Sequence, residues 1–72
     1  MPKLPSLSPK KIMSALVKKG FVLRKISGSH HIFKHPSKKK SVVVPLHSKD
    51  VPKGTFKDII EKSELSVEDF MN

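Results

Sequence analysis

The side chains able to exchange a proton near neutral pH are His30, His31, His35 and His47. Little else in the sequence is equipped for catalysis. Without cysteine, a thiol nucleophile, a disulfide framework and a Cys-ligated zinc site are all ruled out. Before residue 58 the only carboxylate is Asp50, whereas two-metal phosphoryl chemistry needs several carboxylates converging on Mg²⁺. Ser29, His30 and Asp50 supply the residue types of a hydrolytic triad, but no nucleophile-elbow pattern surrounds the serine. The chemistry that suits a histidine without metal is cleavage of RNA. The 2′-hydroxyl attacks the adjacent phosphorus once its proton is removed, and nearby cations hold the charge that builds on the phosphoryl oxygens. DNA lacks that hydroxyl and would be spared.

The charge distribution favours such a substrate. Fifteen Lys and Arg face six Asp and Glu, for a net charge of +9. The excess is lopsided. Residues 1–57 hold every basic residue but Lys62 and a single acid, Asp50; residues 58–72 add Asp58, Glu61, Glu64, Glu68 and Asp69. A cationic body with an acidic tail reads as a polyanion binder, with nucleic acid the natural partner. A membrane surface fits poorly, because no segment is strongly basic on one face and strongly apolar on the other. No apolar run is long enough to span a bilayer. Met1 to Ser8 is Pro-rich without an apolar stretch, so it reads as a loose leader over residues 1–7 and not as a signal peptide. The lack of cysteine fits a reducing, cytoplasmic location.

At 72 residues the expectation is a single small domain with a thin core. Ser8 reads as an N-cap with Pro9 at the first helical position, Ile12, Met13, Leu16 and Val17 recur at helical spacing, and Gly20 stops the helix. A first helix is expected over 9–19. Strands follow over 21–26, 30–35 and 41–45, separated by the Ser27-Gly28-Ser29 turn and a polar turn over 36–40. A second helix should begin near Lys53 to Thr55, burying Phe56, Ile59 and Ile60. Ser66 to Asp69 resembles a capping box opening a short last helix that carries Val67 and Phe70. The fold class is α+β, in the order α-β-β-β-α with a helical tail: a three-stranded antiparallel sheet with helices on one face.

Alternation along the second strand sorts the histidines. His30, Ile32 and Lys34 share one face; His31, Phe33 and His35 share the other. Phe33 belongs in the core and Lys34 in solvent, which puts His30 on the open face with Lys34, beside a glycine turn where backbone N–H groups of Gly28 and Ser29 can approach a phosphate. His31 and His35 read as structural, half-buried and hydrogen-bonded. His47 falls in a loop, as a second RNA contact or no contact at all. The doublet His30-His31 points to opposite faces and cannot chelate a metal as a pair, so no metal or other cofactor is expected. Lys38-Lys39-Lys40 is either a solvated turn or a phosphate grip.

Gly28-Ser29-His30-His31-Ile32-Phe33-Lys34-His35-Pro36 resembles the corresponding segment of the HicA-type mRNA-interferase toxins. Ser8 to Phe21, with its Lys-Lys-Gly-Phe end, is similar to their first helix. The segment from Val42 through Pro45-Leu46-His47-Ser48 to Thr55 is similar to their third strand and the loop into the second helix. The likeness covers about residues 8–65, leaving 66–72 as a helical tail. It implies a fold like a double-stranded-RNA-binding domain and metal-independent endonucleolytic cleavage of mRNA that arrests translation and growth. It places the catalytic histidine at His30, after the Gly-Ser pair, and implies a HicB-type antitoxin as protein partner. Two other readings keep the same residues: a non-catalytic RNA-binding module, and a regulatory subunit that mainly binds another protein.

Overall fold

The computed structural model describes residues 4–46 and 49–71. The elements run α1 (Pro9–Lys18), β1 (Val22–Ser27), β2 (His30–Lys34), β3 (Val42–Pro45), α2 (Lys53–Ser63) and α3 (Val67–Met71). The strands form one antiparallel sheet in the order β1-β2-β3, and the helices cover one side of it. The expected α+β arrangement is therefore the observed one.

Each boundary has a local cause. The Ser8 side chain accepts a hydrogen bond from the Lys11 N–H at 3.3 Å, and Pro9 opens α1. Gly20, at φ +94°, closes it. The Gly20 N–H donates to the Val17 carbonyl and the Phe21 N–H to the Leu16 carbonyl, the paired bonds of a Schellman motif. At the end of α2, Glu64 takes the left-handed conformation that a glycine usually fills. Here an added cation helps: the Lys38 ammonium donates to the Ser63 carbonyl at 2.7 Å, matching charge to the negative end of the helix. Ahead of α3 the Asp69 carboxylate accepts from both the N–H (2.9 Å) and the hydroxyl (3.1 Å) of Ser66, which is one half of the expected capping box with Asp in the Glu position; the Asp69 N–H donates to the Ser66 carbonyl instead of the hydroxyl.

The core joins Leu7, Ile12, Ala15, Leu16, Phe21, Phe33, Val42, Val44, Val51, Phe56, Ile59 and Phe70. Two findings depart from the expectations. Val17 is 59% exposed, because at 100° per residue the stripe centred on Pro9, Ile12 and Leu16 has turned away by that position, and Ala15 takes the inward place. The segment expected to be a loose leader is partly packed: Leu7 is buried, Leu4 lies against the core, and the Leu7 carbonyl accepts from the Val51 N–H. Its leucines are apolar enough to be drawn in.

The last helix is short but anchored. Phe70 is fully buried and meets Phe56 edge to face at 5.3 Å. Asp69 pairs with Lys19, at the end of α1, at 3.2 Å. The Ser66 N–H foremost, and then the Lys19 ammonium, hold its carboxyl below the usual carboxylate range. Because α2 and α3 carry Asp58, Glu61, Glu64, Glu68 and Asp69 or lie directly beside them, five of the six acidic residues belong to the helical layer.

Candidate active site

The sheet has a covered side and an open side, and the register decides which residues share each. Leu23, Phe33 and Val42 form one cross-strand row, and Ile26, His31 and Val44 another; both face the helices. The open side carries Val22 with Lys34, Lys25 with Ile32 and Val43, and Ser27 with His30 and Pro45. Exposure agrees: along β2, Phe33 is buried while His30 and Lys34 are exposed.

His30 is the first residue of β2. It follows a two-residue turn in which Gly28, at φ +59°, occupies the first central position. That is the type II′ geometry whose twist suits a hairpin, and it requires glycine there. A side chain built on Gly28 would meet nothing within 4 Å, so the backbone beside His30 is open to an approaching group. From the opposite side, the Leu46 N–H donates to the Ser29 carbonyl at 2.7 Å, tying the exit of β3 to the same turn. His30 is thus carried on a strand end fixed on both flanks.

The other histidines differ in kind. His31 is half-buried on the helix side, and its Nδ1 is a buried atom without a hydrogen-bond partner. His35 Nδ1 accepts from the Ser37 N–H at 3.0 Å, which places the ring proton on Nε2. Its ring meets Phe21 edge to face at 5.1 Å and lies so near Gly20 that a Cβ there would sit 3.0 Å from His35 Nε2. His47 lies outside the described residues.

The residues expected to contact RNA fall into two groups. Gly28 and Ser29 sit at the His30 end of β2. Lys34 closes the strand at its other end, about 13 Å from His30 for four residues of extended chain, and Lys38, Lys39 and Lys40 follow in the turn beyond it. Lys39 and Lys40 are exposed. Lys38 is engaged elsewhere: besides bonding Ser63, its ammonium lies over the Phe21 ring, 5.4 Å from the centroid.

One cation nearer to His30 escaped the sequence reading. Lys25 sits one row along from Ser27, diagonal to His30 on the open side, a separation of about 7–8 Å that a long side chain can cross. The pairing slips between Leu23 and Lys25, leaving Arg24 as an extra residue in β1. This bulge turns Lys25 to the face opposite Leu23. Simple alternation would have put Leu23 and Lys25 on the same face, so only the register could reveal the lysine.

The profile of the HicA toxin of bacterial toxin–antitoxin systems matches residues 9–65 of the 72. The chain belongs to the HicA toxin family. No curated protein matches it. The matched span takes in every strand, the II′ turn and His30, as well as Lys25, Arg24 and Lys34, and ends just before α3. In this member of the family, Phe70 therefore completes the core from beyond the matched span. Among the described residues no helix is long and apolar enough to cross a membrane.

Proposed function

We propose that this toxin-family chain is a metal-independent endoribonuclease that cleaves mRNA and so arrests translation in the cytoplasm, and that a HicB-type antitoxin neutralises it. The observation that carries the reading is the placement of His30. It is exposed on the open side of the sheet, beside a glycine turn with room for a phosphate, and diagonal to Lys25.

The chemistry follows from that placement. The 2′-oxygen of one ribose attacks the adjacent phosphorus, and the bond from phosphorus to the 5′-oxygen breaks. One proton must leave the 2′-hydroxyl and one must reach the departing 5′-oxygen. His30 carries one of these transfers, since an imidazole works at neutral pH both as base and as acid. Lys25 steadies the charge on the phosphoryl oxygens, and the open turn at Gly28 and Ser29 lets backbone N–H groups approach them. Lys34, Lys39 and Lys40 hold the strand further along by phosphate contacts. The open side offers no Trp or Tyr for bases to stack on, since the chain has neither, so grip is through phosphates and selectivity is modest.

The test is incubation of the protein and of His30→Ala with a long single-stranded RNA in EDTA. The expected result is cleavage by the unaltered protein and a loss of about 10²–10⁴-fold in His30→Ala, with RNA affinity and thermal midpoint retained. Equal cleavage by both proteins would remove His30 from the mechanism. RNA that is bound but left intact by both would make the chain a binding module of the same fold.

A further inference from the structure

At the end of the sheet away from His30, the surface dips into an open hollow of about 330 Å³ lined by Val22, Arg24, Lys34, His35, Pro36 and Lys38. Its construction is specific. Arg24 is the extra residue of the β1 bulge, a device that re-aims a side chain out of the regular ladder. Lys34 comes from the open side of β2 across from Val22. His35, held by Ser37 and Phe21, and Pro36 complete the lining on that side. Lys38 also lines the hollow, with its ammonium fixed on the Ser63 carbonyl. No acidic side chain lines the hollow, and among the described residues neither Arg24 nor Lys34 is paired with a carboxylate. Two available cations, Arg24 and Lys34, on a concave surface without a carboxylate make a site for an anion.

We propose that this hollow is a second phosphate subsite: it binds an RNA phosphate on the same strand but more than one nucleotide away from the one cleaved at His30, with Arg24 as its principal ligand. The inference rests on the ribonuclease reading and adds a length requirement to it. Lys34 lies about 13 Å from His30 along β2, farther than neighbouring phosphates stand apart in a strand, so the two sites cannot be filled by adjacent phosphates. Arginine suits the role because its planar guanidinium presents paired donors to two phosphoryl oxygens. A substrate with a single phosphodiester can occupy the His30 site and leave the hollow empty; a longer strand fills both.

The experiment compares cleavage of a hexaribonucleotide with cleavage of a mixture of all dinucleoside monophosphates, using the full chain and Arg24→Ala in EDTA. The unaltered protein should favour the hexanucleotide in kcat/KM by more than about tenfold. Arg24→Ala should remove most of that preference, mainly through KM, and leave the dinucleotide rate and the thermal midpoint unchanged. No preference for length in the unaltered protein, or an equal loss on both substrates in Arg24→Ala, overturns the subsite and leaves the ribonuclease standing. Failure of the unaltered protein to cleave either substrate overturns the ribonuclease reading instead. Binding of the labelled hexanucleotide across a salt series then decides the hollow by itself. A slope of log affinity against log salt shallower by about 0.7 in Arg24→Ala marks one lost phosphate contact. An unchanged slope overturns the subsite and leaves the hollow to an acidic protein segment.

Discussion

β1 and β3 flank the same central strand and pair with it in the same antiparallel manner, yet they do opposite things. In β3, Val42, Val44 and Pro45 are buried, and α1 and α2 pack against it. All six residues of β1 are exposed, including Leu23 and Ile26 on the side that faces the helical layer. β3 is held by its side chains and by the ladder together. β1 is held mainly by its ladder to β2. The consequence is a division of labour: the strand with no core to fill carries the bulge and both Arg24 and Lys25, while the strand that fills the core carries no charge. Cations cost little where water already reaches the strand, and a great deal where it does not.

The sharpest way to break this comparison is to place a carboxylate on each strand. Val44→Asp buries an ionisable group with no partner, at a cost of several kcal/mol, and a domain of this size has little to spare. It should be largely unfolded by circular dichroism at 25 °C. Ile26→Asp, on the same side of the sheet but in β1, should stay folded, with stability changed by no more than about 0.5 kcal/mol. Unfolding of both would show that β1 is packed as tightly as β3.

A smaller effect tests the functional half of the contrast. Lys25→Ala should lower kcat/KM for RNA cleavage about tenfold, equivalent to ~1.4 kcal/mol of transition-state stabilisation, and leave the thermal midpoint alone. Lys25→Arg should recover much of the rate, because the charge persists. A wild-type rate in Lys25→Ala would leave the diagonal lysine without a role.

The smallest effect reaches β3 from behind. α3 leans on α1, which covers β3, and Asp69 joins α3 to Lys19. The Asp69 pKa is lower in the folded protein than in the unfolded chain, so its carboxylate contributes stability that is fully present above the ordinary carboxylate range. That contribution fades as pH falls through the lowered folded value. Asp69→Asn should therefore melt a few degrees below the unaltered protein at pH 7, and the gap should close as the pH drops below about 3.8. Native-state hydrogen exchange should show a larger acceleration in β3 than in β1 when Asp69→Asn is compared with the unaltered protein. A gap independent of pH would assign the effect to packing alone.

Much of this was legible in the sequence because local rules agreed with one another. Ser8 with Pro9, Gly20, the Gly28 turn and the Ser66–Asp69 box each punctuate the chain where their chemistry requires. Strand parity in β2 followed from Phe33 and Lys34, one impossible to leave out of the core and the other impossible to put in. What could not be read were effects that depend on pairing across strands. The bulge at Arg24 reverses the faces of β1, and nothing in Val-Leu-Arg-Lys-Ile-Ser announces it. Lys38 looked like the start of a basic run, but its fixed position over Phe21 depends on the end of α2, twenty-five residues later. Leu7 joins the core only because the chain returns past it at Val51.

The unopposed positive charge of the sheet has a kinetic meaning. On the helical side Asp58, Glu61, Glu64, Glu68 and Asp69 offset most of the charge of the lysines of α1 and α2, whereas Arg24, Lys25 and Lys34 of β1 and β2 have no carboxylate beside them on the sheet. A polyanion diffusing past at low salt is drawn towards that unopposed charge before the two surfaces touch. Orientation, ordinarily a slow random search, is then biased within a Debye length of contact. The search for His30 is shortened because encounters gather on the side that carries it.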